Sequence, residues 1–156
     1  MSNTAAAKPA PKAEPGHAVT LMVRDRCLCL HVQRAARALA RRFDQAFRPF
    51  GLTNGQFSLL MSLNRPQPPT LGSVAALLAM DRTTLTAALK PLERRGLLKI
   101  AVDKEDRRSR LLSLTAAGRA MLAKALPVWI ATHDALDRAL APHSPDDLRA
   151  ALRKLA

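Results

Sequence analysis

One short segment of this sequence, Asp103–Arg110, concentrates charge and reads DKEDRRSR. Its four basic residues are Lys104, Arg107, Arg108 and Arg110. Guanidinium groups bind phosphate and can form paired hydrogen bonds with guanine. We therefore expect these side chains to contact a polyanion.

A second group of candidate residues lies on the polar face of a predicted helix over 82–95. Its N-terminal half combines one arginine with three threonines. The arginine, Arg82, can form a bidentate bond with guanine, and a threonine can bond phosphate or contact a thymine methyl. The face consists of Arg82, Thr83, Thr84, Thr86, Lys90 and Arg94. Such a helix is suited to the major groove of duplex DNA.

The overall composition narrows the kind of polyanion. The chain of 156 residues carries 25 Lys and Arg against 12 Asp and Glu, a formal net charge of +13. Proteins that bind single strands or RNA stack bases on exposed aromatic rings. Here four Phe, one Trp and no Tyr must also supply the core. The composition therefore favours duplex DNA.

The N-terminal part of the chain must position these groups with helices. Apolar residues at helical spacing predict one long helix from about residue 20 to 50, ended by Pro49 and Gly51. Thr53 is the candidate N-cap of a short helix over 56–63.

The middle of the chain predicts a compact pair of helices at 70–78 and 82–95, separated by a tight turn. Asp81 is the candidate N-cap of the second helix. Strands at 97–102 and 110–114 then flank the charged tip. Helix, turn, helix and two-stranded hairpin is the order of a winged helix-turn-helix.

The C-terminal part predicts two further helices, at 116–141 and 145–155, with Thr115 and Ser144 as N-caps. The first carries an apolar stripe like that of the long N-terminal helix. Two such helices at opposite ends of the chain could pack on the winged part as core, but we favour pairing with a second copy. A homodimer would set two recognition helices in successive major grooves, about 34 Å apart.

The predicted fold is mainly α with a small β-wing: a winged helix-turn-helix flanked by long N- and C-terminal dimerisation helices. Residues 1–16, rich in Ala, Pro and Lys, are expected to form a disordered tail. Residues 17–156 would form one domain. Its dimerisation helices lie at 17–50 and 116–156, and its winged helix-turn-helix lies at 53–114.

Three stretches of the chain resemble the MarR family of bacterial transcription regulators: GLTNGQFSLL, DRTTLTAALKPLERRGLL and DKEDRRSRLLSLTAAGRAML. The most specific part is the wing signature Asp-x-Arg followed by Leu-Thr-x-x-Gly. It stands here as Asp106, Arg108, Leu114, Thr115 and Gly118. The resemblance covers about residues 24–156.

The resemblance implies a homodimer with interlocking terminal helices and a pseudo-palindromic duplex operator as partner. It implies that Arg108 reaches a minor groove and that Asp106 orients it. It also implies repression that a small ligand or oxidation relieves. The first hypothesis is therefore a sequence-specific repressor released by a small aromatic or phenolic effector.

Candidate residues for the effector pocket are those between the terminal helices and the winged part. They are His31, Arg34, Phe43, Phe47, Phe57 and Met61. The alternative for each Phe and Met is ordinary core packing, and for the histidine a structural role.

Cys29 carries a rival hypothesis for release. It lies 24 residues before Thr53, the spacing of the branch of the family that senses organic hydroperoxides. The two tyrosines that assist the sulfur in that branch correspond to Gln33 and Phe43 here. Thiol-based sensing therefore stands beside a reading of Cys27 and Cys29 as small apolar residues.

Other function classes lack their motifs. No G-x-G-x-x-G, P-loop, G-x-S-x-G or H-E-x-x-H occurs, and the four histidines are scattered, so no enzyme, metal or cofactor is expected. The longest apolar run, Val74–Met80, and the N-terminus without an apolar stretch predict neither a membrane span nor a secretory signal. Two cysteines predict a cytoplasmic protein. A nucleoid-type protein that binds any DNA through charge remains a further alternative.

Overall fold

The computed structural model describes residues 14–155. The predicted disordered tail falls mainly on residues 1–13, which lie outside the described residues. The chain divides into two compact units, Met1–Arg37 and Ala38–Ala156, and each is treated by itself below. The arrangement of residues 17–156 as one domain stays a prediction.

The prediction of one long N-terminal helix is wrong. Helix α1 spans His17–Arg26 and helix α2 spans Leu28–Phe47, with Cys27 between them in an extended conformation. The break has local hydrogen-bond partners, because the Cys27 Sγ accepts the N–H of Leu30 at 3.4 Å, in the manner of an N-cap. His31 Nε2 lies 3.2 Å from the main-chain oxygen of Asp25, just before the break.

After α2 a single 3-10 turn, Arg48–Phe50, leads through Gly51 at φ +60° into the helix-turn-helix. Each following helix begins at a side-chain cap: Thr53, Thr70 and Asp81 accept the N–H three residues on. The predicted caps Thr53 and Asp81 are thus confirmed. The helices are α3, Asn54–Ser62; α4, Leu71–Leu77; and α5, Arg82–Arg94.

The wing is an antiparallel pair of strands, β1 (Leu98–Val102) and β2 (Arg110–Leu114), in the register Leu98 opposite Leu114. Thr70 forms an isolated bridge with Leu111 on the other side of β2. The segment before α4 therefore joins the sheet only at its end.

Two helices complete the chain: α6, Ala116–Ala139, and α7, Pro145–Arg153. Thr115 and Ser144 cap them as predicted, and each helix ends two residues before its predicted bound. The element order confirms the predicted fold class, mainly α with a small β-wing. No helix of the described residues is long and apolar enough to cross a membrane.

The hydrophobic core of the second unit lies beneath α5 and the wing. Helix α5 contributes Leu85, Leu89 and Leu92, each with no exposed surface, and the strands contribute Leu98 and Leu112. Burial of a leucine side chain contributes about 1.5–3 kcal/mol. The inward leucines of α5 thus hold its opposite, polar face toward solvent.

An elbow made of main chain joins α5, the wing and α6. Gly96, at φ +67°, ends α5, and its carbonyl accepts the Thr115 hydroxyl at 2.6 Å. The carbonyl of Leu97 accepts the Thr115 N–H at 3.1 Å. A Cβ placed on Gly118 would lie 2.0 Å from that same Leu97 oxygen. This close approach therefore explains the threonine and the glycine of the Leu-Thr-x-x-Gly signature.

We expect Gly118→Ala to destabilise the fold by about 2–3 kcal/mol, because the added methyl overlaps main chain that cannot rotate away. Chemical unfolding measures the loss. The matched control is Gly55→Ala in α3, where an added Cβ meets nothing within 4 Å. The free energy of unfolding of that control should rise by about 0.4–1 kcal/mol. Equal stability of Gly118→Ala and the wild type would contradict the elbow.

Candidate nucleic-acid interface

The first turn of α5 uses part of its polar surface to cap itself. Asp81 Oδ1 accepts the N–H of Thr84 at 2.8 Å, and Oδ2 accepts the Thr84 hydroxyl at 2.6 Å. These bonds, the hydroxyl first, lower the pKa of the Asp81 carboxyl. The Thr86 hydroxyl donates to the carbonyl of Arg82 at 2.7 Å. Two of the three predicted hydroxyls therefore donate inward, while all the predicted positions on this helix stay exposed.

Arg82 leaves the start of α5 toward α4 and the wing. Its Nη2 would lie 3.3 Å from a Cβ on Gly72, so the glycine provides the room for the guanidinium. Arg82 and Gly72 line a concave surface with a volume of about 210 Å³. Asp106, Arg108 and Arg110 of the wing line the same surface. Three guanidinium groups and one carboxylate leave this surface with a positive charge. It can hold a phosphate through charge-assisted hydrogen bonds. We call it the arginine cradle.

The wing tip is a closed loop rather than a free arm. The main-chain oxygen of Asp106 accepts the Ser109 N–H at 2.8 Å, and its Oδ1 accepts the Arg108 N–H at 3.0 Å. Arg110 Nη1 donates to the carbonyls of Arg107 and Ser109 at 3.1 and 3.2 Å. Asp106 thus fixes the main chain of Arg108, and Arg110 braces the tip. Lys104, Arg107 and Arg108 are exposed on it.

A second concave feature lies between α3, α4 and α6 and has a volume of about 350 Å³. Phe57 and Met61, two of the predicted pocket residues, line it together with Trp129. Phe43 and Phe47 are buried beside it in the core, where the ring of Phe47 stacks on that of Phe57 at 4.6 Å. We call this feature the tryptophan cavity. The predicted residues His31 and Arg34 belong to the N-terminal unit and are exposed there.

His133 closes the aromatic cluster under this cavity. Its ring centroid lies 4.1 Å from that of Trp129 and 4.7 Å from that of Phe43. Burial among these rings lowers the pKa of His133, and the positive charge of Arg149 adds to the effect. Asp137 and Asp134 oppose it. The neutral imidazole is therefore the form that this packing favours.

The winged part of the chain has clear relatives. A profile of the MarR family matches residues 52–109. The crystal structure of the M. tuberculosis transcriptional regulator MosR in complex with DNA superimposes with a TM-score of 0.76 at 35% identity. That alignment covers 83% of this chain and 93% of MosR. The chain belongs to the MarR family.

Two curated relatives agree with this membership. The transcriptional activatory protein BadR of Rhodopseudomonas palustris is 33% identical over 95 residues, 59% of this chain and 54% of BadR. The organic hydroperoxide resistance transcriptional regulator of Bacillus subtilis is 29% identical over 101 residues, 65% of this chain and 69% of that protein. The MarR-family chain thus spans about half the length of BadR. Its relatives are transcriptional regulators rather than enzymes, and the MosR structure contains DNA.

Sequence reasoning missed two residues of these surfaces in the MarR-family chain. Gly72 had no distinguishing signal, because only the path of the Arg82 side chain gives its missing Cβ a purpose. Trp129 stands in the apolar stripe of α6, and sequence reasoning did not assign it to a cavity. Its spacing from Leu122 and Leu126 on the same helix face is the signal that could have placed it there.

The two cysteines of the N-terminal unit differ in environment. Cys27 is half-buried at the helix break, where its sulfur accepts a hydrogen bond, and Cys29 is exposed in the first turn of α2. Neither forms a disulfide. An exposed thiol at a helix start can react with a small oxidant, whereas the sulfur of Cys27 has a structural partner.

We expect the stability of the protein to depend on His133 below neutral pH. The folded-state pKa lies below the ordinary value of 6.5, so between these values the unfolded chain binds more protons. The free energy of unfolding should be constant with respect to this group above that window and should fall as the pH drops through it. Urea unfolding at about pH 7.5 and pH 5.5 measures the difference.

His133→Gln should reduce that pH dependence, because it removes the titrating ring. The control is His143→Gln, since His143 is exposed. A pH dependence that His133→Gln leaves unchanged would show that burial of this imidazole does not contribute.

Proposed function

We propose that this MarR-family protein binds a pseudo-palindromic duplex operator as a homodimer and represses transcription from it. The observation that carries the proposal is the convergence of Arg82 with the wing arginines in one cradle beside the exposed face of α5. A helix of this size fits the major groove, and a wing beside it meets the flanking backbone or minor groove.

The proposed contacts are of two kinds: contacts to phosphates position the protein on the duplex, and contacts to base edges give sequence preference. The predicted role of Arg82 was a bidentate bond to guanine, but its place over Gly72 and beside Arg108 favours a phosphate. The side chains left to face the bases are then those of Thr83, Thr84, Thr86 and Lys90. Because the hydroxyls of Thr84 and Thr86 donate inward, their methyl groups are suited to thymine methyls.

The dimer is supported by apolar side chains that each unit leaves exposed. In the N-terminal unit Val19 and Val23 are 44% and 52% exposed. In the second unit Leu148 and Leu152 of α7 are 45% and 42% exposed. Apolar surface on terminal helices is suited to burial against a second copy.

We expect Arg82→Ala to weaken binding to the operator and to an unrelated duplex by a similar factor. A lost phosphate contact should also make the plot of log affinity against log salt shallower by about one. Fluorescence anisotropy over a salt series measures both. The control is Arg138→Ala, which removes one exposed charge at the end of α6. A selective loss of preference at one base pair, with the slope unchanged, would show that Arg82 reads a base.

The wild-type protein distinguishes this proposal from nucleoid-type binding. A footprint on the protein's own upstream region should show protected half-sites about 34 Å apart. In the Arg108→Ala variant, the DNA that flanks each half-site should no longer be protected. Light scattering should show that this variant is still a dimer. Uniform affinity for all duplexes would favour the charge-driven alternative and overturn the proposal.

The effector that we propose for this repressor is a small aromatic or phenolic compound bound in the tryptophan cavity. That cavity is lined by Phe57, Met61 and Trp129 and lies between α4 of the helix-turn-helix and α6. Its apolar lining suits an aromatic ring, and its position touches the elements that must move if the recognition helices change their spacing.

Oxidation of Cys29 is the second candidate for release. It is favoured by the exposure of this thiol and by the match to the Bacillus subtilis organic hydroperoxide regulator. The Sγ thiolate would attack the terminal oxygen of a hydroperoxide, forming a sulfenic acid while the peroxide O–O bond breaks and an alcohol leaves.

We expect cumene hydroperoxide to release DNA from the wild type but not from Cys29→Ser, if this thiol is the sensor. Anisotropy of labelled operator measures release, and mass spectrometry follows the added oxygen. Cys27→Ser is the matched control, because serine can accept the Leu30 N–H and keep the cap. Equal release from Cys29→Ser and wild type, or none from either, rejects the sensor.

A further inference from the structure

One side chain joins the C-terminal end of α5 to a distant part of the fold. Arg95, the C-cap of α5, donates from Nη1 to the carbonyl of Gly51 at 2.6 Å and from Nη2 to that of Phe50 at 3.3 Å. Arg95 and Gly51 are 44 positions apart in the chain. Both carbonyls belong to the short connection between α2 and α3, so the arginine links this connection to α5.

The other side-chain hydrogen bonds of residues 81–95 stay within that segment, in the part of the chain that the structure describes. Asp81 binds Thr84, and the Thr86 hydroxyl binds the carbonyl of Arg82. The leucines on the inner face of α5 are buried, but the burial of apolar surface has no preferred direction. The two bonds of Arg95 are therefore the directional side-chain contacts between α5 and another element.

The connection that accepts these bonds is itself attached to α2 and α3. Asp44 Oδ1, near the end of α2, accepts the N–H of Asn54 at the start of α3 at 2.7 Å. The Gly51 N–H donates to the carbonyl of Arg48 at 3.0 Å, and Gly51 ends the 3-10 turn at a φ of +60°. Arg95 thus attaches α5 to the end of α2 through main chain that has its own hydrogen bonds.

The guanidinium of Arg95 is suited to fix an orientation. Its N–H donors form a rigid planar fork, so two neighbouring carbonyls define both its position and its plane. A hydrogen bond from a charged donor is about twice as strong as a neutral one. Arg95 is in none of the ion pairs of the described residues, so these carbonyls have no carboxylate as a competitor there.

We propose that Arg95 is a positioning residue for DNA binding, which sets the orientation of α5 relative to α2 without contacting the DNA. Base contacts in this type of motif come from the N-terminal part of the recognition helix, whereas Arg95 follows its C-terminal end. In a homodimer joined through the terminal helices, the orientation of each α5 relative to α2 fixes the distance between the two recognition helices. Arg95 therefore determines how strictly the protein requires one spacing of the half-sites. This inference rests on the proposed function, since it assigns a residue that controls the specificity of that site.

The first experiment compares the operator with two variants in which one base pair is inserted or removed between the half-sites. The wild type should bind both variants more weakly than the operator. In Arg95→Gln this preference should fall about tenfold, because a charge-assisted hydrogen bond is lost. Fluorescence anisotropy measures the affinities. A loss of stability alone would weaken binding to all three duplexes by the same factor, so the ratio of affinities separates positioning from folding.

The same titrations separate positioning from a direct phosphate contact. The affinity of Arg95→Gln for an unrelated duplex, and its salt dependence, should equal those of Arg138→Gln. That control removes one exposed positive charge at the end of α6. A shallower salt dependence in Arg95→Gln than in the control would show that Arg95 binds a phosphate, and the inference would be wrong.

The second experiment measures the orientation of α5 without DNA. Spin labels at Gln45 of α2 and Ala87 of α5, both exposed, report the distances between these helices by pulsed electron paramagnetic resonance. Both native cysteines are first replaced by serine, and labelled protein is diluted with unlabelled protein so that distances within one chain dominate. Arg95→Gln should broaden the distance distribution, and Arg138→Gln should leave it unchanged. Arg95→Lys, which keeps the charge but lacks the planar fork, should also broaden it and replaces Arg95→Gln if that variant does not fold.

The two experiments can fail separately. An unchanged distance distribution in Arg95→Gln would overturn the inference, whether or not the protein binds DNA. A broader distribution with an unchanged spacing preference would also overturn it, because Arg95 would then orient the helix without any effect on specificity. If the wild type itself shows no preference for one spacing, the proposed function fails, and the distances still decide whether Arg95 orients α5.

Discussion

The carbonyl oxygen of Leu97 is the point on which the recognition helix, the wing and α6 all depend. It accepts the Thr115 N–H and lies where a side chain on Gly118 would stand. The Thr115 hydroxyl binds the preceding carbonyl, that of Gly96, and accepts the Gly118 N–H at 3.0 Å. Thr115 therefore follows the last strand of the wing, caps α6 and is hydrogen-bonded to the residue that ends α5. A contact between main-chain atoms has little freedom to adjust, so the three elements keep one mutual geometry.

That geometry brings charges from distant parts of the sequence to one surface. Arg82 begins α5 and Arg108 lies in the wing tip, yet both line the arginine cradle. Inside the tip, the side chains of Asp106 and Arg110 form hydrogen bonds with main-chain groups. These bonds fix the conformation of the loop that carries the exposed arginines. Charge alone would attract any polyanion. The fixed placement of the charges beside a groove-sized helix is what suits duplex DNA.

Much of the fold could be predicted from the sequence, because its signals are local. Thr53, Asp81, Thr115 and Ser144 accept the hydrogen bonds expected of N-caps, and Gly96 ends α5 with a positive φ. The break at Cys27 was missed because no proline or glycine marks it in the sequence. A cysteine sulfur that accepts an N–H gives the break a local partner, and propensity rules do not anticipate that.

The sequence by itself determined the element order, the caps and the wing signature, since each depends on neighbours a few residues apart. It also determined which side chains could meet DNA, because amphipathic spacing assigns the faces of a helix. Only the tertiary structure decided that Arg82 turns toward the wing over Gly72 and that Trp129 lines a cavity with Phe57 and Met61. These directions depend on contacts between elements, where a missing Cβ or a fixed carbonyl selects one path among several rotamers.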